Sequence, residues 1–208
     1  NPEELKVTGY ELIASTSNNR GNPSINDVIV RTSNANVDLI PANVELSQAE
    51  MDLVGVTGRE LVLKKMLQPV RRSYDFILVD CLPSLGLLTV NALSASDKVL
   101  IPVQADFLAM KGLVLLLDTI IRVKDRINPT LEISGILFTM TNIRTLHSRE
   151  VIEMTKRIFG SRIRVFDTIV PVSVRFKEAP VAGQSIITYA ANADGANAYR
   201  QLAREVMK

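Results

Sequence analysis

Continuous apolar runs, separated by amphipathic stretches, dominate the chain from residue 74 onward. The runs Phe76–Asp80, Lys98–Val103, Leu131–Thr139 and Arg164–Pro171 show little alternation of apolar and polar positions, which is typical of strands covered on both faces. In the stretches between them, apolar residues recur every three or four positions, as in helices that bury one side. This order of elements predicts an α/β fold: a mostly parallel twisted sheet with helices on both faces.

The sequence predicts several helices, and the longest has the clearest apolar stripe and end signal. Residues 109–127 predict the longest helix, which Asn128 and Pro129 end. Its predicted buried residues are Leu113, Leu116, Leu117, Ile120 and Ile121. Further helices are predicted over 5–15, 25–32, 44–54, 58–70 and 87–93, from 147 or 148 to 159, and over 194–208. A further strand is predicted over 36–41, and an irregular excursion over 172–190.

The first of the apolar runs ends abruptly in the carboxylate of Asp80, and Pro83, Ser84 and Gly86 follow it. Open α/β sheets bind their ligands at the carboxyl ends of strands, so Asp80 is expected at such a place. A carboxylate there can hold Mg²⁺, directly or through water, opposite the phosphates of a nucleotide. Asp80 could instead cap the next turn or helix, and the pattern alone leaves both interpretations open.

Composition narrows the class of protein. The chain has 208 residues, of which 47% are apolar and 22% charged, and this predicts one globular domain over residues 1–208. A net charge of +2 means that any basic surface must be local. The single cysteine, Cys81, rules out an internal disulfide and indicates a reducing cytoplasm, and we expect this thiol to be buried and inert. No apolar run approaches the roughly 20 residues that a membrane span needs.

Several stretches together resemble the ParA/Soj family of partitioning ATPases, which belongs to the MinD/ParA class with a deviant Walker A loop. The most specific stretch is YDFILVDCLPSLGLLTVNAL at residues 74–93. The others are Asn36–Pro41, Gly58–Leu61, Ile101–Gln104, Ile143–Thr145, Val174–Pro180 and Gly195–Tyr199, so the resemblance extends over essentially the whole chain.

The resemblance implies a cytoplasmic, nucleoid-associated ATPase with a P-loop NTPase fold. Such a protein forms a homodimer around ATP and Mg²⁺, binds double-stranded DNA non-specifically, and hydrolyses ATP when a ParB-like centromere-binding protein triggers it. Asp80 matches the Walker B aspartate of the family, which supports magnesium through water. Pro171 and Ser173 lie in the segment that packs against the adenine ring, and Arg144 and Arg175 match arginines that contact the DNA backbone. Each arginine could instead be solvated or paired with a nearby glutamate.

This sequence departs from the family at several positions. Leu82 stands where the family usually has Pro, Val172 where it has Arg, Ser173 where it has Asn, and Lys177 where it has Ser. The largest departure is that no Gly-rich loop ending in Lys-Thr or Lys-Ser occurs in the 208 residues. In the family this loop, the first strand and the first helix would precede Asn1. We therefore expect no ATP hydrolysis by this chain alone. Binding of ATP and Mg²⁺ is expected of the complete protein, and the sequence leaves open whether this chain binds any nucleotide. We also expect two open apolar strand edges.

Two explanations stay open. The chain is either the C-terminal bulk of a longer ParA/Soj ATPase, which a start without Met favours, or a shortened, non-enzymatic ParA-like module that binds DNA or regulates a partner. A third interpretation, a MinD-like membrane ATPase, needs a basic amphipathic tail with large apolar anchors. Residues 199–208 lack such anchors, and we expect no membrane binding.

Overall fold

The structure is a computed structural model that describes residues 8–18, 23–82 and 84–207, with only the backbone described for 16–18. The chain folds into two compact units. The first unit contains Asn1–Asp97 and Thr119–Leu131, and the second contains Lys98–Asp118 and Glu132–Lys208. The elements that position the candidate site residues are divided between them.

The first unit consists mainly of short helices. Its elements are α1 (Gly9–Asn18), α2 (Ile25–Val28), β1 (Val30–Arg31), β2 (Asp38–Leu39), a 3-10 helix (Val44–Gln48), α3 (Ala49–Asp52), a second 3-10 helix (Arg59–Leu61), α4 (Val62–Leu67) and α5 (Leu87–Ala95). β1 and β2 form an antiparallel pair, in which Val30 lies opposite Leu39. The helix predicted over 25–32 is therefore wrong beyond residue 28, because Ile29 turns into extended backbone and the chain pairs with β2.

Two hydrophobic clusters hold the first unit together. In one, Leu12 of α1 packs with Ile25, Val28 and Val70. In the other, Ile13 of α1 packs with Ala49, Leu53 and Val62. Adjacent residues of α1 thus reach different clusters, and α1 connects the helices around it.

The second unit contains a three-stranded parallel sheet in the order β3 (Lys98–Val103), β4 (Glu132–Thr141) and β5 (Val165–Pro171). Its helices are α6 (Phe107–Arg126), which continues into residues of the first unit, α7 (Leu146–Phe159), α8 (Arg175–Val181), α9 (Ile186–Tyr189) and α10 (Asp194–Val206). The predictions of three strands and of the helices that follow them are confirmed. The predicted excursion over 172–190 contains the two short helices α8 and α9.

Helices cover both faces of this sheet, as predicted. On one face, Phe138 and Ala105 pack with Val151 and Ile152 of α7, and Met110 of α6 joins them. On the other face, the strand residues next in sequence pack against α10 in a separate cluster. This second cluster consists of Leu137, Phe166, Val170 and Ala198, with Leu100, Phe176 and Leu202 packed against it. Because successive strand residues alternate between faces, the continuous apolar runs are explained by this double cover.

Two sequence predictions about buried segments are wrong. Residues Phe76–Asp80 form no strand, and their side chains are exposed, with Phe76 at 63% and Leu78 at 93%. The physical reason is that none of the described residues pairs with the backbone of this run, and a strand exists only with a partner. Ile121, which was predicted to be buried on α6, is also exposed. β3 pairs only with β4, so its other edge is open within the described part.

Candidate functional site

The Asp80 segment, residues 74–86, is fixed to the first unit at its beginning. The phenol of Tyr74 donates a hydrogen bond of 2.7 Å to Asp38 of β2, and Arg31 lies 3.6 Å from the same carboxylate. This hydrogen bond raises the pKa of Tyr74, and desolvation and the charge of Asp38 raise it further. The phenol therefore keeps its proton, and remains a donor, at neutral pH.

The segment is also fixed at its end, where α5 begins. The Thr89 hydroxyl donates to the Ser84 carbonyl at 2.7 Å, and the Leu88 N–H donates to the Glu50 carboxylate at 3.1 Å. A negative charge at a helix N-terminus is stabilised by the free N–H groups and the helix dipole. Gly86 permits this contact, because a Cβ atom at Gly86 would collide with the Glu50 carboxylate.

Two buried asparagines fix α5 behind the segment. Asn91 accepts a hydrogen bond from the Leu63 N–H at 3.1 Å and donates to the Arg59 carbonyl at 2.8 Å. Asn128 donates to the carbonyls of Leu93 and Ser96 at the other end of α5. Because both amides are buried and hydrogen-bonded, they hold the helix in one position.

Glu50, Asn91 and Asn128 are site residues that the sequence pattern does not predict. A single polar residue within an apolar helix has no periodic signal, and the long sequence separations of these contacts are visible only in the folded chain. Only the polar character of Asn91 among apolar neighbours could have suggested a specific partner.

Asp80 lies between these two anchors and is exposed to solvent. No group of three His, Cys, Asp or Glu side chains that could hold a metal ion occurs among the described residues. Mg²⁺ takes six oxygen ligands in protein sites, and it keeps water and phosphate oxygens among them. Asp80 can therefore supply one ligand of such a site, directly or through water.

Cys81 is exposed, so the expectation of a buried thiol is wrong. Local desolvation raises the pKa of Cys81, and the neighbouring Asp80 carboxylate raises it further. The thiol is therefore protonated at neutral pH, which makes it a poor nucleophile.

The second unit brings several of the predicted site residues to the carboxyl edge of its sheet. β4 and β5 end side by side, where Thr141 pairs with Pro171, and β3 ends three residues earlier along β4, where Val103 pairs with Phe138. Met140 has a φ of 48°, a left-handed conformation that is uncommon for a residue other than glycine. Its sulfur lies 3.9 Å from the side-chain amide of Gln104, which follows β3. Strained residues of this kind cluster at functional sites, so this edge of the sheet is a candidate ligand site.

The two predicted adenine-contact residues lie on this edge. Pro171 is the last residue of β5 and is half-buried, so part of its ring is accessible from solvent. The hydroxyl of Ser173 accepts a hydrogen bond of 3.3 Å from the Arg175 N–H at the start of α8. Ser173 is thus engaged with the backbone, while its own hydroxyl hydrogen remains available to a ligand.

The two predicted DNA-contact arginines follow neighbouring strands at the same edge. Arg144 comes shortly after β4, in a turn where its N–H donates to the Asn142 side chain at 3.1 Å. Its exposed guanidinium forms no ion pair within the described ranges. Arg175, the first residue of α8, pairs with Glu178 at 2.9 Å. The hydrogen bond to Glu178 raises the pKa of Arg175, and the charge of Glu178 adds to this effect.

Comparison with known proteins gives a matching family and several similar chains. Residues 4–133 match a family described as an AAA domain. The chain is 48% identical over 205 residues to an uncharacterised protein of Mycobacterium tuberculosis, covering 98% of this chain and 64% of that protein. It therefore spans less than two thirds of the length of this relative. It is also 44% identical over 201 residues to the chromosome-partitioning ATPase Soj of Treponema pallidum, covering 97% of this chain and 76% of Soj.

A solved structure has the same fold. A cobyrinic acid a,c-diamide synthase from Mycobacterium smegmatis, crystallised with ADP and magnesium, superimposes with a TM-score of 0.80. The two sequences are 31% identical, and the match covers 98% of this chain and 72% of that one. The arrangement of elements in this chain is thus found in a protein that binds ADP and magnesium.

Proposed function

Because the chain belongs to the ParA/Soj family of partitioning ATPases, we propose that it functions in a cytoplasmic ATPase that partitions chromosomes or plasmids. This ATPase couples ATP-dependent dimerisation and non-specific DNA binding to hydrolysis, and a ParB-like protein triggers the hydrolysis. The observation that carries the proposal is the 44% identity to a chromosome-partitioning ATPase over nearly the whole chain. No helix in the described part has the length and apolarity needed to cross a bilayer.

The Asp80 segment and the carboxyl edge of the sheet have separate roles in nucleotide binding. Asp80 supports the magnesium ion of a bound nucleotide, and Pro171 and Ser173 contact its base. Two observations support these roles: Asp80 is exposed between two fixed anchors, and Pro171 ends a parallel strand, where α/β proteins bind their ligands.

By themselves, these 208 residues do not hydrolyse ATP. Phosphoryl transfer depends on backbone amides and a lysine that surround the β- and γ-phosphates, and the sequence contains no Gly-rich loop of this type. One carboxylate cannot stabilise the charge that develops on the phosphates.

DNA binding is assigned to Arg144 and Arg175, with unequal contributions. Arg144 has a solvated charge with no ion pair among the described residues, so it is ready to contact a phosphate. Arg175 already pairs with Glu178, and a DNA phosphate has to compete with this carboxylate. Because an exposed ion pair contributes little in water, this competition weakens the contribution of Arg175 without abolishing it.

Duplex binding measured by fluorescence anisotropy at several salt concentrations tests this assignment. We expect Arg144→Ala to weaken binding for all DNA sequences alike and to reduce the salt slope by about one. Arg175→Ala should have a smaller effect. Arg162→Ala is the matched control, because this exposed arginine precedes β5 at the opposite end of the strand. Binding that neither Arg144→Ala nor Arg175→Ala weakens would contradict the assignment.

A second candidate function is a non-enzymatic DNA-binding module. It is favoured by the observation that both arginines follow adjacent parallel strands, so that the sheet brings them to one edge. Salt-sensitive binding of duplex DNA by the chain without ATP would support this candidate. Absence of binding at low salt would eliminate it.

A further inference from the structure

The exposed side of α4, and of the turn that follows it, carries only positive charge. Between Leu61 and Tyr74 the chain has four basic residues and no acidic residue. By contrast, α6, α7 and α10 each combine their basic residues with two acidic ones. Because the net charge of all 208 residues is only +2, this concentration of positive charge is a local feature of the surface.

The helical path places these basic residues on one side. After α4 ends at Leu67, the Arg71 N–H donates to the Leu67 carbonyl at 3.0 Å, so the turn continues the helical path. A rotation of about 100° per residue puts the four basic side chains and one glutamine within an arc of about 120°. All five are exposed, and we call them the α4 face: Lys64, Lys65, Gln68, Arg71 and Arg72.

Contacts behind the α4 face and at its end hold it in one position. Val62 and Val70, on the opposite side, are buried in the two hydrophobic clusters of the first unit. The side chain of Asn91 in α5 accepts a hydrogen bond from the α4 backbone, and Arg71 pairs with Asp97. A surface that is already fixed loses little backbone freedom when it binds a partner.

Three of the four cations are available to a partner. Lys64, Lys65 and Arg72 form no ion pair within the described ranges, whereas Arg71 shares its charge with Asp97. At a rise of about 1.5 Å per residue, the face is about 12 Å long. One strand of duplex DNA presents a phosphate about every 3.4 Å along the axis, so about three or four phosphates match this length.

The composition of the α4 face favours a DNA backbone over other polyanions. A basic helix that binds an anionic membrane also presents large apolar residues, and a groove that binds a peptide helix holds its apolar anchors. The α4 face offers neither, because Met66 and Leu67 pack against the hydrophobic clusters behind it. Lysine, arginine and glutamine contact phosphate oxygens without reading the base sequence.

We propose that the α4 face binds the phosphate backbone of duplex DNA, as a second contact surface besides Arg144 and Arg175. The choice of DNA as the partner rests on the proposed function. The surface itself is separate, because α4 belongs to the first unit and both arginines belong to the second. Binding through the α4 face is independent of base sequence and depends strongly on salt.

Fluorescence anisotropy of a short labelled duplex, measured with the whole chain at several salt concentrations, tests the proposal. We expect Lys64→Gln/Lys65→Gln to reduce the salt slope by about two and to weaken binding about tenfold or more at low salt, because two phosphate contacts are lost. Lys64→Arg/Lys65→Arg keeps both charges and should bind within about threefold of the wild type. Lys124→Gln/Arg126→Gln is the matched control, because it removes two exposed positive charges of α6 that flank Asp125, and it should leave the slope unchanged.

A second measurement locates the contact without depending on affinity. In a Cys81→Ser background, a photo-crosslinking group attached through Lys64→Cys should form a covalent link to the duplex. The same group attached through Lys124→Cys should not, because this position lies on α6, outside the α4 face. Equal crosslinking from the two positions would overturn the proposal.

The anisotropy outcomes separate this inference from the proposed function. If Arg144→Ala weakens binding and Lys64→Gln/Lys65→Gln does not, the α4 face is no DNA surface and the proposed function stands. Equal losses in the test and control double variants would also overturn the inference, since net charge alone would explain them. So would a Lys64→Gln/Lys65→Gln variant that loses binding to phosphatidylglycerol vesicles but keeps its DNA affinity. A chain that binds no duplex at low salt would overturn the inference outright.

Discussion

The carboxylate of Glu50 fixes the end of the Asp80 segment from a distant part of the sequence. It accepts the Leu88 N–H at the start of α5, and the absence of a side chain at Gly86 makes room for it. The N-cap residue of α5 is Gly86, which has no side chain that could cap the helix. Glu50 thus acts as a helix cap from a distant part of the sequence.

Removal of this cap should destabilise the protein. We expect Glu50→Ala to lower the free energy of unfolding by about 1–2 kcal/mol, because the α5 N-terminus loses both an acceptor and a favourable charge. Urea denaturation followed by circular dichroism measures the change. Glu45→Ala is the control: this glutamate is exposed and should change stability by less than about 0.5 kcal/mol. Equal effects of the two substitutions would contradict the capping role.

A second carboxylate, Glu205, connects α10 to β5. It accepts hydrogen bonds from the N–H and the hydroxyl of Thr168 and from the Asp167 N–H, and it pairs with Arg164 at 3.1 Å. Burial alone would raise the pKa of Glu205, but the hydrogen bonds from Thr168 and Asp167 and the charge of Arg164 together lower it below its ordinary value of 4.5. The folded state therefore favours the ionised form of Glu205.

This shift predicts a pH dependence of stability. Because the pKa of Glu205 is lower in the folded state, the unfolded chain takes up the proton first as the pH falls. The stabilisation by Glu205 should be complete well above pH 4.5 and should be lost as the pH falls through 4.5 toward the folded-state pKa. Unfolding by urea across this range measures it, and Glu205→Gln, which cannot titrate, should show a flatter profile than the wild type. Parallel profiles for the two proteins would contradict the assignment.

At the scale of elements, β4 illustrates how closely the sheet is packed. Gly135 has a φ of 150°, and a Cβ atom there would lie 2.7 Å from the Arg164 carbonyl oxygen and 2.9 Å from the Phe166 ring. The register between β3 and β4 shifts at this point, where Leu100 pairs with Gly135. Glycine is thus required both by the backbone conformation and by the neighbouring strand.

A pair of glycine substitutions tests this packing. Gly135→Ala should destabilise the protein by about 2 kcal/mol or more, because the new methyl group collides with backbone that cannot easily move. Gly112→Ala, within α6, should stabilise it by about 0.5–1 kcal/mol, since nothing lies within 4 Å of the added Cβ and alanine favours the helix. Thermal unfolding distinguishes the two. A neutral Gly135→Ala would show that β4 and β5 are less tightly packed than described.

The same elements show how much of the fold the sequence predicts. The sequence predicts β3 with the observed bounds, and β4 and β5 within about two residues. These apolar runs form strands because each pairs with at least one neighbouring strand and is covered by helices on both faces. Phe76–Asp80 has the same pattern and forms no strand. Hydrophobicity determines what a segment could pack against, but a strand also needs a neighbouring backbone, which local sequence does not specify.

At the scale of the whole chain, the candidate site was predictable only in part. The alternation of strands and helices predicts parallel strands. In a parallel sheet, Arg144 and Arg175 follow the ends of adjacent strands on the same edge, as the structure shows. Their roles came from family resemblance and not from spacing. The residues that fix α5, and the pairing of Arg175 with Glu178, required the three-dimensional structure because long-range polar contacts have no sequence pattern.

The central claim is that these 208 residues belong to a partitioning ATPase and do not carry out its phosphoryl transfer alone. Phosphate release from ATP, measured for the purified chain with Mg²⁺ and compared with Asp80→Ala, tests it most directly. We predict that neither protein releases phosphate above the background without protein. Magnesium-dependent hydrolysis by the wild-type chain that Asp80→Ala abolishes would contradict the claim.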